Sequence, residues 1–326
     1  MFGAALVAAA VADIVARLAV GQLPVFTVPS YPAPPLTAIP AFIALGVVAG
    51  ILGVTFNRGL LIVLNLFGRF STRTRIILAG GVGALAGLIA WYSPLAVGGG
   101  HDLAEHVLAG NLALAVIPLW FLLRFGLTLF SYGTGAPGGI FAPLLVLGAL
   151  IGLATGEIAH LYAPTAVPQP AVFAVVGMAA YFTAIVRAPL TGIVLILEMT
   201  GNYSQMLPLL VSCFSAYAVA EALRDLPIYE ALLERDLLSG GLRPTYKEPI
   251  VVEMALEPGA PFVGKTVKEL ALPPGCILVH YHEDGREWVP TATTRLDEHM
   301  RITAVIAPEA ANALALLRRG CEAAAQ

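Results

Sequence analysis

The sequence predicts an all-α, multi-pass membrane domain with broken, re-entrant helices, followed by a small α+β domain. Of the 326 residues, 58% are hydrophobic and only 12% are charged, whereas about a quarter of the residues of an ordinary soluble domain are charged. Most of the charged residues lie after Ala222. This change in composition predicts a membrane domain over residues 1–238, a linker over 239–248 and a second domain over 249–326.

Eight apolar stretches are candidate membrane helices. A helix needs about 20 mainly apolar residues to span a bilayer, and several of these stretches are shorter or are interrupted by Gly and Pro. Broken apolar segments are typical of transporters, which place helix ends inside the membrane. Asp13 and Arg17 interrupt the first stretch, which favours a membrane helix over a signal peptide. The candidates are residues 2–20, 39–67, 76–97, 107–130, 143–161, 171–186, 189–199 and 206–223.

The distribution of charge between these stretches predicts the orientation of the chain. Arg69, Arg73 and Arg75 form a basic loop, which the positive-inside rule places in the cytoplasm, and the uncharged, proline-rich residues 24–40 then lie outside. We expect a multi-pass protein of the cell inner (plasma) membrane with its C-terminal domain in the cytoplasm. The formal net charge is -3 and there is no basic tract, so nucleic acid is not an expected partner.

Beyond residue 248 the hydrophobic pattern changes from a helical period to alternation. Asp284 and Gly285 predict a hairpin turn, and Pro308 predicts the start of a closing helix. The predicted strands are "EPIVVEMAL", "CILVHYH" and "RITAVIA", and the predicted short helix is "GKTVKEL". These elements make a compact α+β domain of about 75 residues, near the lower limit for independent stability, so dimerisation would help it.

A glycine- and proline-rich stretch, "GTGAPGGIFAP", interrupts a helix at membrane depth. Irregular backbone survives in hydrocarbon only where it is buried in protein or lines a polar cavity. Glycines there allow positive φ and leave backbone N–H groups uncovered, and the helix that starts near Ile140 directs its own unpaired N–H groups and its positive dipole end to the same place. The pattern predicts an anion site without a basic side chain. The predicted loop residues are Gly133, Gly135, Pro137, Gly138, Gly139, Ala142 and Pro143.

An alternative interpretation of the same glycines is structural. Small residues in membrane helices often serve only to let two helices pack closely. On composition alone, close packing fits as well as anion binding. A P-loop is excluded because no Lys follows these glycines.

The segment "GTGAPGGIFAPLLVLGALIG" resembles the anion-site segment of the CLC chloride channels and proton-coupled chloride transporters. The motifs "VGGG", "RFGLTLFSYGTGAPGG", "VGMAAYFTAIVRAPLTGIVLILEMTGNY" and "LPIYEALLERDL" occur in the order of that family. The resemblance implies the second half of the CLC inverted repeat and transmembrane chloride transport, as a channel or an H+/Cl- exchanger. It implies three anion ligands, the backbone N–H groups of Ile140 and Phe141 and the hydroxyl of Tyr229. It also implies a homodimer.

The sequence departs from this family in what it omits. The first-half segment with a serine ligand, the segment with the gating glutamate and the internal proton-transferring glutamate have no counterpart in the sequence. We therefore expect a fragment or a truncated gene product that contains half of the ion pathway. The resemblance therefore leaves both a channel and an exchanger open, because those glutamates distinguish the two.

The tail, from "VGKTVKEL" to "RITAVIAPE", resembles the RCK_C (TrkA-C) regulatory domain of potassium-conductance regulators. The resemblance implies a domain that pairs with a second copy and takes a small regulatory ligand. It also leaves a second function open, in which the chain is a membrane-anchored regulatory subunit of a cation transport system that acts through this domain.

Other polar residues are weaker candidates for a site. Residues 101–106, "HDLAEH", lack the spacing of a zinc protease and are expected to start a helix. His280 and His282 are expected on a solvated strand face. No nucleophile, base and orienting group occur together, so we predict neither an enzyme nor a cofactor or metal site. The three cysteines are scattered singly and predict no disulfide framework; they are Cys213, Cys276 and Cys321.

Four ionisable residues lie in apolar surroundings, where such groups are usually paired or functional. We expect them to bind helix ends rather than to carry protons. They are Arg124, Glu157, Arg187 and Glu198.

Overall fold

The structure is a computed structural model that describes residues 2–21, 24–26, 28–29, 31–238, 249–283, 286–307, 310 and 312–322. It divides into two compact units, Met1–Ile228 and Tyr229–Gln326. The predicted linker, the Asp284-Gly285 turn and Pro308 lie outside the described residues. The predicted fold class, a helical membrane domain followed by a small α+β domain, is confirmed.

The described part of the first unit is helical. Apart from α4 and α5, its membrane helices begin and end close to the predicted positions. The helices of this unit are α1 (Phe2–Val20), α2 (Ile39–Gly68), α3 (Thr72–Tyr92), α4 (His101–Leu108), α5 (Ile117–Gly133), α6 (Phe141–Tyr162), α7 (Val172–Val186), α8 (Pro189–Thr200) and α9 (Met206–Ala222), and α10 (Ile228–Leu238) begins at its last residue.

One predicted span is wrong. Residues 107–130, predicted as a single helix, contain the end of α4 and most of α5. Gly110 has a positive φ of 71°, a conformation that ends a helix, and its N–H donates to the carbonyl of Val107. Pro118 then lies in the first turn of α5, where its missing N–H costs nothing.

Five stretches among the described residues are long and apolar enough to span a membrane, so the chain is a multi-pass membrane protein. They are Leu36–Gly68, Thr72–Tyr92, Leu114–Gly133, Phe141–Tyr162 and Tyr203–Ala222. The helices α7 and α8 are apolar but shorter. This combination of long and short apolar helices matches the predicted broken-helix architecture.

The helix α7 forms the centre of the first unit. Every residue from Val172 to Ile185 is buried, as expected for a helix that is apolar on all sides. It packs against α6 through glycines, because a Cβ added at Gly152 would overlap the carbonyl oxygen of Phe173, and one at Gly148 would lie 2.5 Å from the carbonyl oxygen of Gly177. The small residues of α6 therefore allow backbone-to-backbone contact.

The second unit contains a four-stranded antiparallel sheet with the order β1-β4-β2-β3. Its strands are β1 (Ile250–Ala255), β2 (Cys276–Glu283), β3 (Arg286–Trp288) and β4 (Arg301–Ile306), and its described closing helix is α11 (Asn312–Cys321). One sheet face and α11 enclose an apolar core that includes Leu256, Phe262, Leu296, Ile302 and Leu317. The short helix predicted at "GKTVKEL" is a 3-10 turn over Val267–Leu270.

The strand β3 is absent from the sequence prediction. Its three residues have no hydrophobic run of their own and form a strand because they pair with the end of β2. Two strands that the sequence predicts around it, β2 and β4, form a central pair with an irregularity between Leu278 and His280.

Candidate anion-binding site

The helix α5 ends in a turn that is stabilised locally. The hydroxyl of Thr134 donates to the carbonyl of Ser131 at 2.7 Å and accepts from the N–H of Ala136 at 3.2 Å. Gly135 has a positive φ of 79°, which only glycine adopts without strain. The chain then runs through an exposed loop to Ile140 and starts α6 at Phe141.

The four glycines of the loop have different environments. A Cβ added at Gly133 would overlap the side chain of Val63, so this glycine permits close packing. A Cβ added at Gly139 would have no neighbour within 4 Å, and one at Gly138 would reach only the carbonyl oxygen of Ala136, at 4.0 Å. Close packing therefore accounts for Gly133 but not for Gly138 and Gly139. The expectation of positive φ holds for Gly135 and is wrong for the other three.

Five successive backbone N–H groups at the start of α6 have no hydrogen-bond acceptor among the residues that the structure describes. The first N–H of α6 that has an acceptor is that of Leu144, which donates to the carbonyl oxygen of Ile140 at 3.0 Å. Pro143 has no N–H. These unpaired groups lie at the positive end of a 22-residue helix. The unpaired donors belong to Gly138, Gly139, Ile140, Phe141 and Ala142.

The loop borders a cavity of about 250 Å³. Among the described residues, its lining contains one cationic side chain, Arg124, and no carboxylate. A cavity with this lining has a positive electrostatic character, because the partial charges of the N–H groups add to the guanidinium charge. The predicted loop residues that line it are Pro137, Gly138, Gly139 and Pro143, together with Ile140.

Arg124 is a buried cation that is only partly neutralised by hydrogen bonds. Its side chain is 3% exposed, and Nη1 donates to the carbonyls of Ala96 and Gly98 at 2.9 and 3.1 Å. Within the described chain, Nε and Nη2 have no hydrogen-bond partner and no carboxylate pairs with the guanidinium. The predicted helix-end role is confirmed, since Ala96 ends a short 3-10 helix. The unpaired nitrogens and the cavity beside them were not predicted.

A sequence feature could have indicated that Arg124 lines a functional cavity. Arg124 is a charged residue inside an apolar helix, α5, whose end at Gly133 leads directly into the predicted anion loop. An ionisable residue in a membrane segment is a candidate functional residue by default. Which of its nitrogens are left unpaired depends on Ala96 and Gly98, which lie far away in sequence.

The other intramembrane charges differ from one another. Arg187 donates to the carbonyl of Ala184 at the end of α7 and to that of Asp225, so its predicted helix-end role is confirmed. Glu157 and Glu198 form no hydrogen bond or ion pair with a described residue, and for them that prediction is wrong.

The three predicted ligands lie at the start of α6 and near the start of α10. Ile140 is buried and directly precedes α6, and the Phe141 ring packs edge-on against Phe182 with centroids 5.7 Å apart. Tyr229 lies in the second unit, near the start of α10, and its role as the third ligand stays a prediction.

The weaker polar candidates also have defined environments. His101 begins α4, as predicted for "HDLAEH", and His106 Nδ1 is 2.8 Å from the carbonyl oxygen of Asp102. His280 and His282 are partly buried and lie edge to face with ring centroids 5.4 Å apart. The predicted solvated strand face holds in part, because a third of the His282 side chain is exposed.

Comparisons with known proteins agree with this architecture. The family model described as "Voltage gated chloride channel" matches residues 1–221, and the model of the TrkA-C domain matches residues 251–317. The chain is 42% identical over 243 residues to the H(+)/Cl(-) exchange transporter ClcA of Vibrio parahaemolyticus, covering 74% of this chain and 52% of the relative. ClcA of Vibrio cholerae is 42% identical over 237 residues, covering 72% and 51%.

Solved structures show the same similarity. A slow cyanobacterial Cl-/H+ antiporter has a TM-score of 0.67 and 39% identity, covering 70% of this chain and 54% of that protein. A eukaryotic CLC transporter has a TM-score of 0.55 and 24% identity, covering 71% and 39%, and supports the fold alone. The chain thus spans about half the length of the curated relatives that it matches. With two thirds of its residues matched by the family model, and its C-terminal part by the TrkA-C model, the chain belongs to the voltage-gated chloride channel (CLC) family.

Proposed function

We propose that this chain takes part in transmembrane chloride transport of the CLC type and that its anion is held at the start of α6. The observation that carries the proposal is the group of unpaired N–H donors at Ile140, Phe141 and their neighbours, beside a cavity that Arg124 lines. The proposed ligands are the N–H groups of Ile140 and Phe141 and the hydroxyl of Tyr229. The phenol donates one hydrogen bond without adding charge.

The chemistry of the donors suits transport better than permanent binding. Backbone N–H groups attract an anion through partial charges, so the ion can be held and then released. Arg124 supplies a full charge, but two carbonyl oxygens already share part of its hydrogen-bonding capacity. Its unpaired nitrogens, Nε and Nη2, are costly to bury without a partner. Because Arg124 lines the cavity, an anion there is attracted by its charge.

Proton-coupled exchange is the favoured mode of transport, because the curated relatives compared above are named H(+)/Cl(-) exchange transporters. The remaining proposals follow from the family resemblance. The chain acts as a homodimer in the cell inner (plasma) membrane, with the TrkA-C domain in the cytoplasm taking a small regulatory ligand. The similarity to exchange transporters favours this function over that of a regulatory subunit for cation transport.

The proposal is tested by halide binding and anion flux. The chain is purified in detergent, its chloride affinity is measured by calorimetry, and chloride efflux is followed from liposomes that contain it. Tyr229→Phe removes only the hydroxyl, so we expect weaker chloride binding and slower efflux than in the unchanged chain. Tyr203→Phe, at an exposed tyrosine outside the proposed site, is the control. Chloride binding that is absent from the unchanged chain would overturn the proposal, and unaltered binding in Tyr229→Phe would remove Tyr229 from it.

A further inference from the structure

Three metal-ligating side chains meet at one end of the sheet in the second unit. His280 and His282 are two residues apart on β2, so both side chains lie on the same sheet face. The register of β2 and β3 pairs His282 with Glu287. One ligand atom from each of the three residues lies within 4.8 Å of the others, and His282 Nε2 is 3.0 Å from Glu287 Oε1.

A β-bulge places the two histidines on this face. Leu278 pairs with Ala304 and His280 pairs with the preceding residue, Thr303, so Val279 is an extra residue in β2. Leu278 lies in the core before the bulge, and Tyr281 packs against the core after it. Without the extra residue, the alternation would direct His280 and His282 into the core. Bulges commonly re-aim side chains next to functional sites.

The two ring nitrogens of His282 have different environments. Its Nε2 contacts Glu287, but its Nδ1 is buried and has no hydrogen-bond partner among the described residues. Buried polar atoms usually have at least one partner.

The distances suit a small divalent ion. Zn2+ binds imidazole nitrogen and carboxylate oxygen at about 2.0–2.2 Å, which places two ligands of a tetrahedral ion about 3.3 Å apart. The 3.0 Å between His282 Nε2 and Glu287 Oε1 is close to this separation, and a ligand atom of His280 lies within 4.8 Å of a ligand atom of each of these two residues. By register Arg301 lies opposite His282, and its Nη1 lies 4.0 Å from a carboxylate oxygen of Glu253.

We propose that His280, His282 and Glu287 form a binding site for a first-row divalent transition metal, with Zn2+ as the representative ion. Two imidazoles and one carboxylate favour Zn2+, Co2+ or Ni2+ over Mg2+ and Ca2+, which prefer oxygen ligands alone. Three protein ligands leave a fourth position for water. The bound ion ties the edge strand β3 to β2. This inference is independent of the anion site, which involves none of these residues.

The test uses the whole chain in detergent, stripped of metal and titrated with ZnCl2 by calorimetry, with MgCl2 in a parallel titration. We expect one Zn2+ site per chain and no comparable Mg2+ site. His280→Gln, His282→Gln and Glu287→Gln should each weaken Zn2+ binding by about tenfold or more, because each removes one direct ligand. The control is His299→Asn, which removes an exposed histidine of the same unit at a positive φ of 69° that Asn tolerates.

A second measurement does not depend on the variants folding. Co2+ bound to the unchanged chain should give the visible absorption of a four-coordinate ion, and Zn2+ should displace it. The proposal is overturned if the unchanged chain binds no Zn2+, or if the three cluster variants bind it as tightly as His299→Asn does. In α4, His101 Nε2 lies 3.6 Å from Glu105 Oε1. Loss of Zn2+ binding on mutation of His101 would assign the ion to α4 instead and overturn the proposal.

Discussion

At the scale of single residues, the proposed anion site depends on Arg124 and on the glycines of the loop. From composition alone, the four loop glycines are compatible with close helix packing and with ligand binding. The atoms around each glycine distinguish these two roles. Gly133 contacts Val63, whereas a side chain at Gly139 would meet nothing within 4 Å. Arg124 could be recognised in the sequence as an unusual charge, but its unpaired nitrogens are visible only once Ala96 and Gly98 are in place.

Replacement of Arg124 tests its contribution to the cavity. Arg124→Gln removes the only cation among the described lining residues, so we expect chloride affinity to fall by about ten- to a hundredfold, since a hydrogen bond to a charged group contributes about 1.5–3 kcal/mol. Arg124→Lys keeps the charge and should lose less. Calorimetric titration with chloride measures both.

The matched control is Arg187→Gln, which removes a half-buried arginine at another helix end. It should reduce stability without a comparable loss of chloride affinity. If Arg187→Gln and Arg124→Gln weaken chloride binding equally, Arg124 acts only through the fold.

At the scale of elements, long helices were easier to predict than the breaks between helices or the pairing of strands. Long apolar stretches gave α2, α6 and α9 close to their observed bounds, because burial in lipid demands length and apolarity. The break between α4 and α5 depends on the local conformation of Gly110. The strand β3 was missed because its residues form a strand only through pairing with β2.

The contact between α6 and α7 is a test of helix packing. Gly152→Ala places a Cβ against the Phe173 carbonyl, and we expect a loss of about 1–3 kcal/mol or more in unfolding free energy from overpacking. Gly83→Ala in α3 has no neighbour within 4 Å and should raise helix stability by about 1 kcal/mol through propensity. Thermal unfolding in detergent compares the two, and similar transitions would contradict the packing assignment.

The 3-10 turn of the second unit has a pH-sensitive start. Glu269 accepts hydrogen bonds from the N–H and the hydroxyl of Thr266 at 2.7 and 2.8 Å, and these bonds hold the pKa of Glu269 below its ordinary value of 4.5. Because the folded-state pKa is lowered, this stabilisation is complete above pH 4.5 and is lost as the pH falls through the folded-state value.

Hydrogen exchange at Val267–Leu270 measures this effect. Protection should fall when the pH is lowered from neutral to below 4.5, and Glu269→Gln should remove this pH dependence because an amide does not titrate. Glu298→Gln, at an exposed carboxylate of the same unit, should keep it. A pH dependence that persists in Glu269→Gln would contradict the role of Glu269.

At the scale of the whole molecule, the sequence was sufficient to predict the fold class and the family. It was not sufficient to predict the geometry of the sites. Motifs such as "GGIFAP" are contiguous, so the CLC resemblance could be recognised without a structure, and the TrkA-C resemblance likewise. Features that join distant residues could not be predicted, among them the cavity beside Arg124 and the cluster of His280, His282 and Glu287. The chain spans about half the length of its curated relatives, and chloride transport by this chain is therefore a proposal.

The most direct test of the central claim removes a single backbone donor from the anion site. An amide-to-ester substitution at the Phe141 nitrogen deletes its N–H and leaves every side chain in place, and the same substitution at Ala149, inside α6, is the control. We predict that the ester at Phe141 raises the chloride dissociation constant by about tenfold or more, because one hydrogen bond to a charged ligand is lost, and that the ester at Ala149 does not. Equal chloride affinity in the Phe141 ester and the unchanged chain would contradict the account.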